Sequence, residues 1–269
     1  MKIAFSTISC PDYTVAQMAR AVKEYGYDGI ELYALEGQRL LPGLLAERLN
    51  EFQRELKDVP IVSINSWGRL SSADAQERQA QERQIAYAFE LAADLDCPLV
   101  KTFGGELPTD QPTGEVFDYM AESLQHLADR GQTLGVTLVL ETHDGFCRGA
   151  TLAELLRRVE HPCFAALWDV HHPYRMDEPV AETDRLIGQR VRHVHVKDAI
   201  RDGEGWRFVL LGEGELPVRT LIEHLYARGF KGAIAVDWEK MWHPAIDGPE
   251  VALPQYAAAL RSYLKAISD

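Results

Sequence analysis

At 269 residues, with 46% hydrophobic and 26% charged side chains, the chain has the make-up of a folded globular protein with enough length for one large core. A formal net charge of −13 argues against a partner held by overall phosphate neutralisation, so no nucleic acid is expected. Four scattered cysteines (Cys10, Cys97, Cys147 and Cys163) form no C-x-x-C pair and predict neither a zinc knuckle nor a disulfide frame, and no stretch approaches the ~18 apolar residues of a membrane span.

The opening MKIAFSTISCPDYT has too short an apolar stretch for a signal peptide and no small-residue cleavage site, so a cytoplasmic protein with no membrane partner is expected. Within it, Lys2–Ser6 is the first of eight β-branched runs. The others are Gly29–Tyr33, Ile61–Ser66, Leu99–Gly104, Thr137–Thr142, Ala165–Val170, Val191–Lys197 and Ala233–Glu239, each followed by a candidate helix. Thr14-Val-Ala-Gln17 and Thr151-Leu-Ala-Glu154 read as capping boxes that open helices. Ala75–Leu95, charged at first and apolar later, suits an outer helix with one face on a sheet. Gly203 to Gly214 reads as a loop excursion, and Gly212-Glu-Gly214 as a turn.

Eight alternating units in a chain of this length predict an α/β fold, a (β/α)8 TIM barrel, as a single domain over 1–269. The rival is a doubly wound open sheet. Its dinucleotide-binding form needs G-x-G-x-x-G after the first strand, where Ser6-Thr-Ile-Ser-Cys-Pro stands.

Strand parity then sorts side chains between the helix-covered face and the barrel axis. Val139, Glu141 and His143 share the inner face of the fifth strand, and Ala235, Asp237 and Glu239 that of the eighth. Leu167 and Asp169 point inward from the sixth, His193, His195 and Lys197 from the seventh, and Glu31 from the second. Converging carboxylates repel one another and are costly to bury unless a cation joins them. Glu141, Asp169, His195 and a carboxylate from Asp237 or Glu239 offer three oxygens and one imidazole to one divalent ion, a set that suits Mn²⁺, Mg²⁺, Co²⁺ or Zn²⁺ without choosing among them. The plainer reading makes Glu141 and Asp169 partners of Lys101, Lys197 or Arg192 in structural ion pairs, and His193 a satisfied polar residue.

Several motifs together resemble the sugar phosphate isomerase/epimerase family with the xylose isomerase-like TIM barrel. They are Gly26-Tyr-Asp-Gly-Ile-Glu-Leu32, Leu140-Glu-Thr-His143, Trp168-Asp-Val-His-His172, His193-Val-His-Val-Lys-Asp198, Leu211-Gly-Glu-Gly214 and Val236-Asp-Trp-Glu-Lys-Met-Trp-His-Pro244. The resemblance implies that Glu141, Asp169 and His195 bind metal and that His172 contacts substrate. It places Asp237 where the family usually has glutamate, so the fourth ligand is Asp237 or, two residues on, Glu239. The implied activity is isomerisation or epimerisation of a small ketose, polyol-derived or keto-sugar substrate through an enediolate. Glu141 is the base in this reading, Asp237 or Glu239 the group that returns the proton, and Glu31, Lys101, His143, His172 and Lys197 the residues that meet substrate. The alternative is a metal-dependent dehydratase of the inosose or dehydroshikimate type. A non-catalytic sugar-binding barrel and an endonuclease IV-like nuclease fit less well. The partner expected is a small molecule; a homo-oligomer is compatible, with Trp242 covering either a neighbouring subunit or the substrate pocket.

Overall fold

The computed structural model describes residues 1–111 and 113–268. Eight parallel strands close into a barrel, each overlapping a run expected from the sequence: β1 Lys2–Ser6, β2 Gly29–Leu32, β3 Ile61–Arg69, β4 Leu99–Phe103, β5 Thr137–Glu141, β6 Phe164–Asp169, β7 Val191–Val196 and β8 Ala233–Val236. They neighbour one another in chain order, and β8 closes on β1 with Lys2 opposite Ala233 and Phe5 opposite Val236. Helices follow every strand, from Val15–Glu24 after β1 to Pro249–Ala266 after β8.

Both faces of such a sheet are covered, which is why the strands read as near-continuous apolar runs. Leu138, Leu140, Ile234, Val236 and Trp238 belong to the large outer core shared with the helices. Their alternates fill the axis: Val139, Ala165 and Leu167 form one small cluster, and Ala4, Val62, Ala233 and Ala235 another. The small axial side chains toward the strand starts thus give way to the charged ones toward the strand ends.

The first capping box is present: the Gln17 amide donates to the Thr14 hydroxyl at 3.3 Å, and the Thr14 amide donates to the Gln17 side chain at 2.8 Å. Thr14→Ala is expected to cost about 1 kcal/mol and lower the melting temperature by roughly 2–4 °C, as calorimetry would read. The second box does not form. That helix begins at Gly149, so Thr151 already lies in its first turn; Glu178 caps it instead by accepting from the Gly149 amide at 2.8 Å. The capping group comes from a distant segment, which local spacing does not reveal.

The excursion after β7 is an antiparallel hairpin, Asp198–Asp202 paired with Gly205–Val209, rather than an irregular loop. The Gly212 and Gly214 amides donate to Asp198 Oδ2 at 2.8 and 3.1 Å, so the glycine turn holds the foot of the hairpin. A Cβ on Gly214 would lie 2.1 Å from Asp198 Oδ1, which excludes any larger residue there without rearrangement. A second, smaller hairpin after β2 pairs Ala34–Leu35 with Gln38–Arg39. Glu36 and Gly37 both take positive φ at its turn, as a tight two-residue hairpin requires. Among the described residues no helix is long and apolar enough to cross a membrane.

Candidate active site and metal centre

The candidate side chains come from the C-terminal ends of the strands, the face on which barrel enzymes build their sites. β5 delivers Glu141, β6 Asp169 and β7 His195, while Lys197, Asp237 and Glu239 follow directly after β7 and β8. Their meeting point is His195 Nδ1, which lies 3.0 Å from Glu141 Oε1, 4.0 Å from Asp169 Oδ2 and 3.9 Å from Asp237 Oδ1. Asp169 is fixed by the His171 amide, which donates to Oδ1 at 2.7 Å and leaves Oδ2 turned toward the cluster.

Two lysines balance part of this charge. Lys101 Nζ is 2.8 Å from Glu141 Oε2 and sits over the rings of Tyr33 and Phe103. Lys197 Nζ stands among three carboxylates, 2.9 Å from Asp169, 2.8 Å from Asp237 and 2.6 Å from Glu239. The ion pairs anticipated for Glu141 and Asp169 with lysines therefore exist. Arg192 takes no part; it donates to the carbonyls of Gln189 and Val191.

Burial opposes charge on every one of these groups, yet their mutual fields decide the outcome. Burial raises the pKa of Glu141, but Lys101 and His195 hold its carboxyl well below the usual carboxylate range. Burial pushes the Asp169 carboxyl up, and Lys197 only partly offsets this because Glu141 and Asp237 crowd it. Burial works against an imidazolium at His195, but Glu31, Asp237 and Glu141 together raise its pKa to about 10. Lys197 is driven well above its ordinary value by its three carboxylates, against the effect of burial. Next to the cluster, burial and the nearby cations keep His172 neutral.

A divalent ion fits these residues. Ligand atoms about 2.1 Å from one ion lie roughly 3.0 to 4.2 Å from each other, and the distances around His195 Nδ1 fall in that range. Asp237 Oδ1 is buried and accepts no hydrogen bond, and five carboxylates outnumber the two lysines. Asp169, His195 and Asp237 form one group with metal-ligand spacing, and Glu141, Asp169 and His172 another. Glu239 lies beyond Lys197, with His243 Nε2 3.6 Å from its second oxygen.

Above the cluster is a cavity of about 70 Å³ lined by Ile8, Tyr33, Lys101, Phe103, Glu141, His143, His172, Lys197, Asp237, Glu239 and Trp242. His143, 31% exposed, packs edge-on against His172 and Phe103. A far larger hollow of about 1000 Å³ lies at the opposite end, against the strand starts Lys2, Ile61, Leu99 and Ala233. It contains none of the converging carboxylates or histidines, so chemistry and not size marks the site.

Glu31 was expected from the sequence to meet substrate. It does not line the cavity; it is fully buried, and its Oε2 is 2.7 Å from His193 Nε2 and 3.0 Å from His195 Nε2. The aromatic residues Tyr33 and Phe103 of the cavity wall, and Trp67 packed against them, were not anticipated. Tyr33 follows the end of β2 and Phe103 ends β4, positions that face a barrel mouth, so their strand-end placement was an available signal. Trp67 gave no such signal: it sits at φ 62° where β3 shifts register, its amide donating to Asn65 Oδ1 at 2.9 Å. Trp242 lines the cavity and packs edge-on against Trp67.

A family model described as xylose isomerase-like TIM barrel matches residues 19–266. Fructoselysine 3-epimerase of Escherichia coli O157:H7 is 23% identical over 254 residues, spanning 90% of this chain and 92% of that one. Among solved structures, the IOLI protein with a binding zinc atom superposes with a TM-score of 0.84 at 15% identity over 99% of each chain. The probable 3-DHS dehydratase AsbF from Bacillus anthracis superposes with a TM-score of 0.76 at 22% identity, over 97% of this chain and 99% of that one.

Proposed function

Since the chain belongs to the xylose isomerase-like TIM barrel family, we propose that it is a divalent-metal-dependent isomerase or epimerase of a small ketose, polyol-derived substrate or keto-sugar. The observation that carries this reading is the convergence of Glu141, Asp169 and Asp237 on His195 Nδ1 beneath a polar cavity. Glu141, Asp169, His195 and Asp237 would hold Mn²⁺, Mg²⁺, Co²⁺ or Zn²⁺. When bound, the ion supplies Lewis-acid polarisation of a substrate carbonyl.

The chain's own residues then move protons. Glu141, kept ionised by Lys101, accepts the proton next to the carbonyl and leaves an enediolate. Glu239, hydrogen-bonded by Lys197 at the other side of the cavity, relays a proton from the Lys197 ammonium to the enediolate, while the proton held by Glu141 leaves to water and Lys197 regains one from water. Delivery to the opposite face gives the epimer, and delivery to the neighbouring carbon gives the aldose–ketose isomer. Lys101, His143, His172 and Lys197 line the cavity and orient substrate hydroxyls. The cytoplasmic, small-molecule character read from the sequence belongs to the same proposal.

Dividing the two strand-eight carboxylates in this way has a measurable consequence. Asp237→Asn is expected to weaken Mn²⁺ binding by about ten- to hundredfold, whereas Glu239→Gln should leave it within about threefold and lower turnover instead. Calorimetric titration beside steady-state kinetics separates the two, and the reverse pattern would make Glu239 the ligand.

One feature favours dehydration as the second reading. The Lys197 ammonium lies in the cavity wall, where it is placed to protonate a departing β-hydroxyl. Incubating ketoses, inososes and keto-sugars with the Mn²⁺-loaded protein and weighing the products by mass spectrometry tests the proposal. A product of unchanged mass but new retention supports isomerisation or epimerisation, loss of water supports the dehydratase, and no product from any member contradicts both.

A further inference from the structure

We propose that Glu31, with His193 behind it, is a positioning residue that fixes the ring of His195 so that Nδ1 faces the carboxylate cluster. The proposal rests on the reading of His195 as a metal ligand.

Glu31 reaches the axis from β2, between Ser6 and Ser63 in the barrel register, and all three are fully buried. Its Oε2 faces Nε2 of both His193 and His195, at 2.7 and 3.0 Å. An ionised carboxylate only accepts, so each of those nitrogens carries a hydrogen and donates it. His195 Nδ1 donates to Glu141 Oε1 at 3.0 Å; once an ion displaces that hydrogen, the neutral ring is held in the Nε2–H form with its lone pair on Nδ1, the nitrogen 3.0 to 4.0 Å from Glu141, Asp237 and Asp169. Without the acceptor, the imidazole is free to take the other tautomer or to turn about its χ2 bond, and either change removes the lone pair from the cluster.

His193 contributes at the far side. Its ring lies edge-on to His195, with centroids 5.3 Å apart, and its hydrogen bond to the same oxygen holds Oε2 in place. The H-x-H spacing in β7 brings both imidazoles to one face of the strand, so one carboxylate serves both. Second partners of this type, a carboxylate on the free nitrogen of a metal-bound histidine, typically change metal affinity ten- to hundredfold.

The test is Mn²⁺ affinity by calorimetric titration of the full chain and its variants. Glu31→Met removes the acceptor and keeps the volume, and should weaken binding about ten- to hundredfold. Glu31→Gln keeps one acceptor oxygen and should recover part of the loss. A purely structural role would not order the variants in this way. It would also leave unchanged the hydrogen on His195 Nε2, which in ¹⁵N-histidine-labelled, Zn²⁺-loaded protein should resist exchange in the wild type and exchange quickly once the acceptor is lost. If Glu31→Met does not fold, Glu31→Gln carries the test, with binding at least about threefold weaker than wild type expected. Affinity within twofold of wild type in the folded variant overturns the positioning role alone. A wild-type protein that binds no Mn²⁺ overturns the metal-ligand reading of His195, and the positioning role with it.

Discussion

Glu141→Gln is expected to lower kcat/KM by about 10²- to 10⁴-fold while the protein keeps a substantial part of its metal. The amide preserves shape and one oxygen able to face an ion, but it cannot take up the substrate's proton. The variant also separates catalysis from stability. Lys101 loses its charged partner 2.8 Å away yet keeps the faces of Tyr33 and Phe103, at 4.8 and 4.6 Å. Breaking a buried pair from one side costs roughly 3–5 kcal/mol, so a lower melting temperature should accompany the loss of turnover. Elemental mass spectrometry, kinetics and a thermal scan on the same sample read the three effects. Unchanged activity would remove Glu141 from the mechanism.

His195→Ala is expected to lose metal and activity together. His195 is the nitrogen donor of the proposed ligand set, within 4.0 Å of all three proposed carboxylate ligands. Its removal leaves Glu141, Asp169 and Asp237 with Lys101 and Lys197 as their cations and no imidazole to complete the set. Binding should fall by more than about a hundredfold. In the wild type, an ion at a hundred times its Kd stabilises the fold by about 2.7 kcal/mol, so Mn²⁺ should raise the melting temperature; in His195→Ala the rise should vanish at the same concentration. A variant that retains the rise would show that the ion sits elsewhere.

Most of the barrel and the convergence of the candidate site's side chains were legible in the sequence because both depend on the simplest period in protein structure. A strand alternates every second residue, so Val139 and Glu141, or Ala235 and Asp237, had to share the axis once their runs were read as strands. What the strand ends carried could then be collected on one face. The features that escaped depend on contacts between distant segments. Glu31 was read as a group that meets substrate because parity alone gives its direction. Its depth and its partners on β7, 162 and 164 residues away, follow from closure of the barrel. Likewise Glu178 caps the helix at Gly149, and Thr151 does not, for tertiary reasons. The hairpin after β7 hid behind glycines that suggest a loop, although its strands Asp198–Asp202 and Gly205–Val209 pair in register. Trp67 comes to pack against the cavity-lining Tyr33 and Trp242 through a positive φ, a backbone choice that its sequence neighbourhood does not signal.

The most direct test of the central claim is solvent exchange. The wild-type protein, loaded with Mn²⁺ in D₂O, would be given a panel of ketoses, inososes and keto-sugars and each substrate followed by proton NMR. Loss of the signal from the carbon next to the carbonyl, dependent on both metal and Glu141, is the predicted result. A metal-loaded protein that leaves every such hydrogen in place across the panel would contradict it.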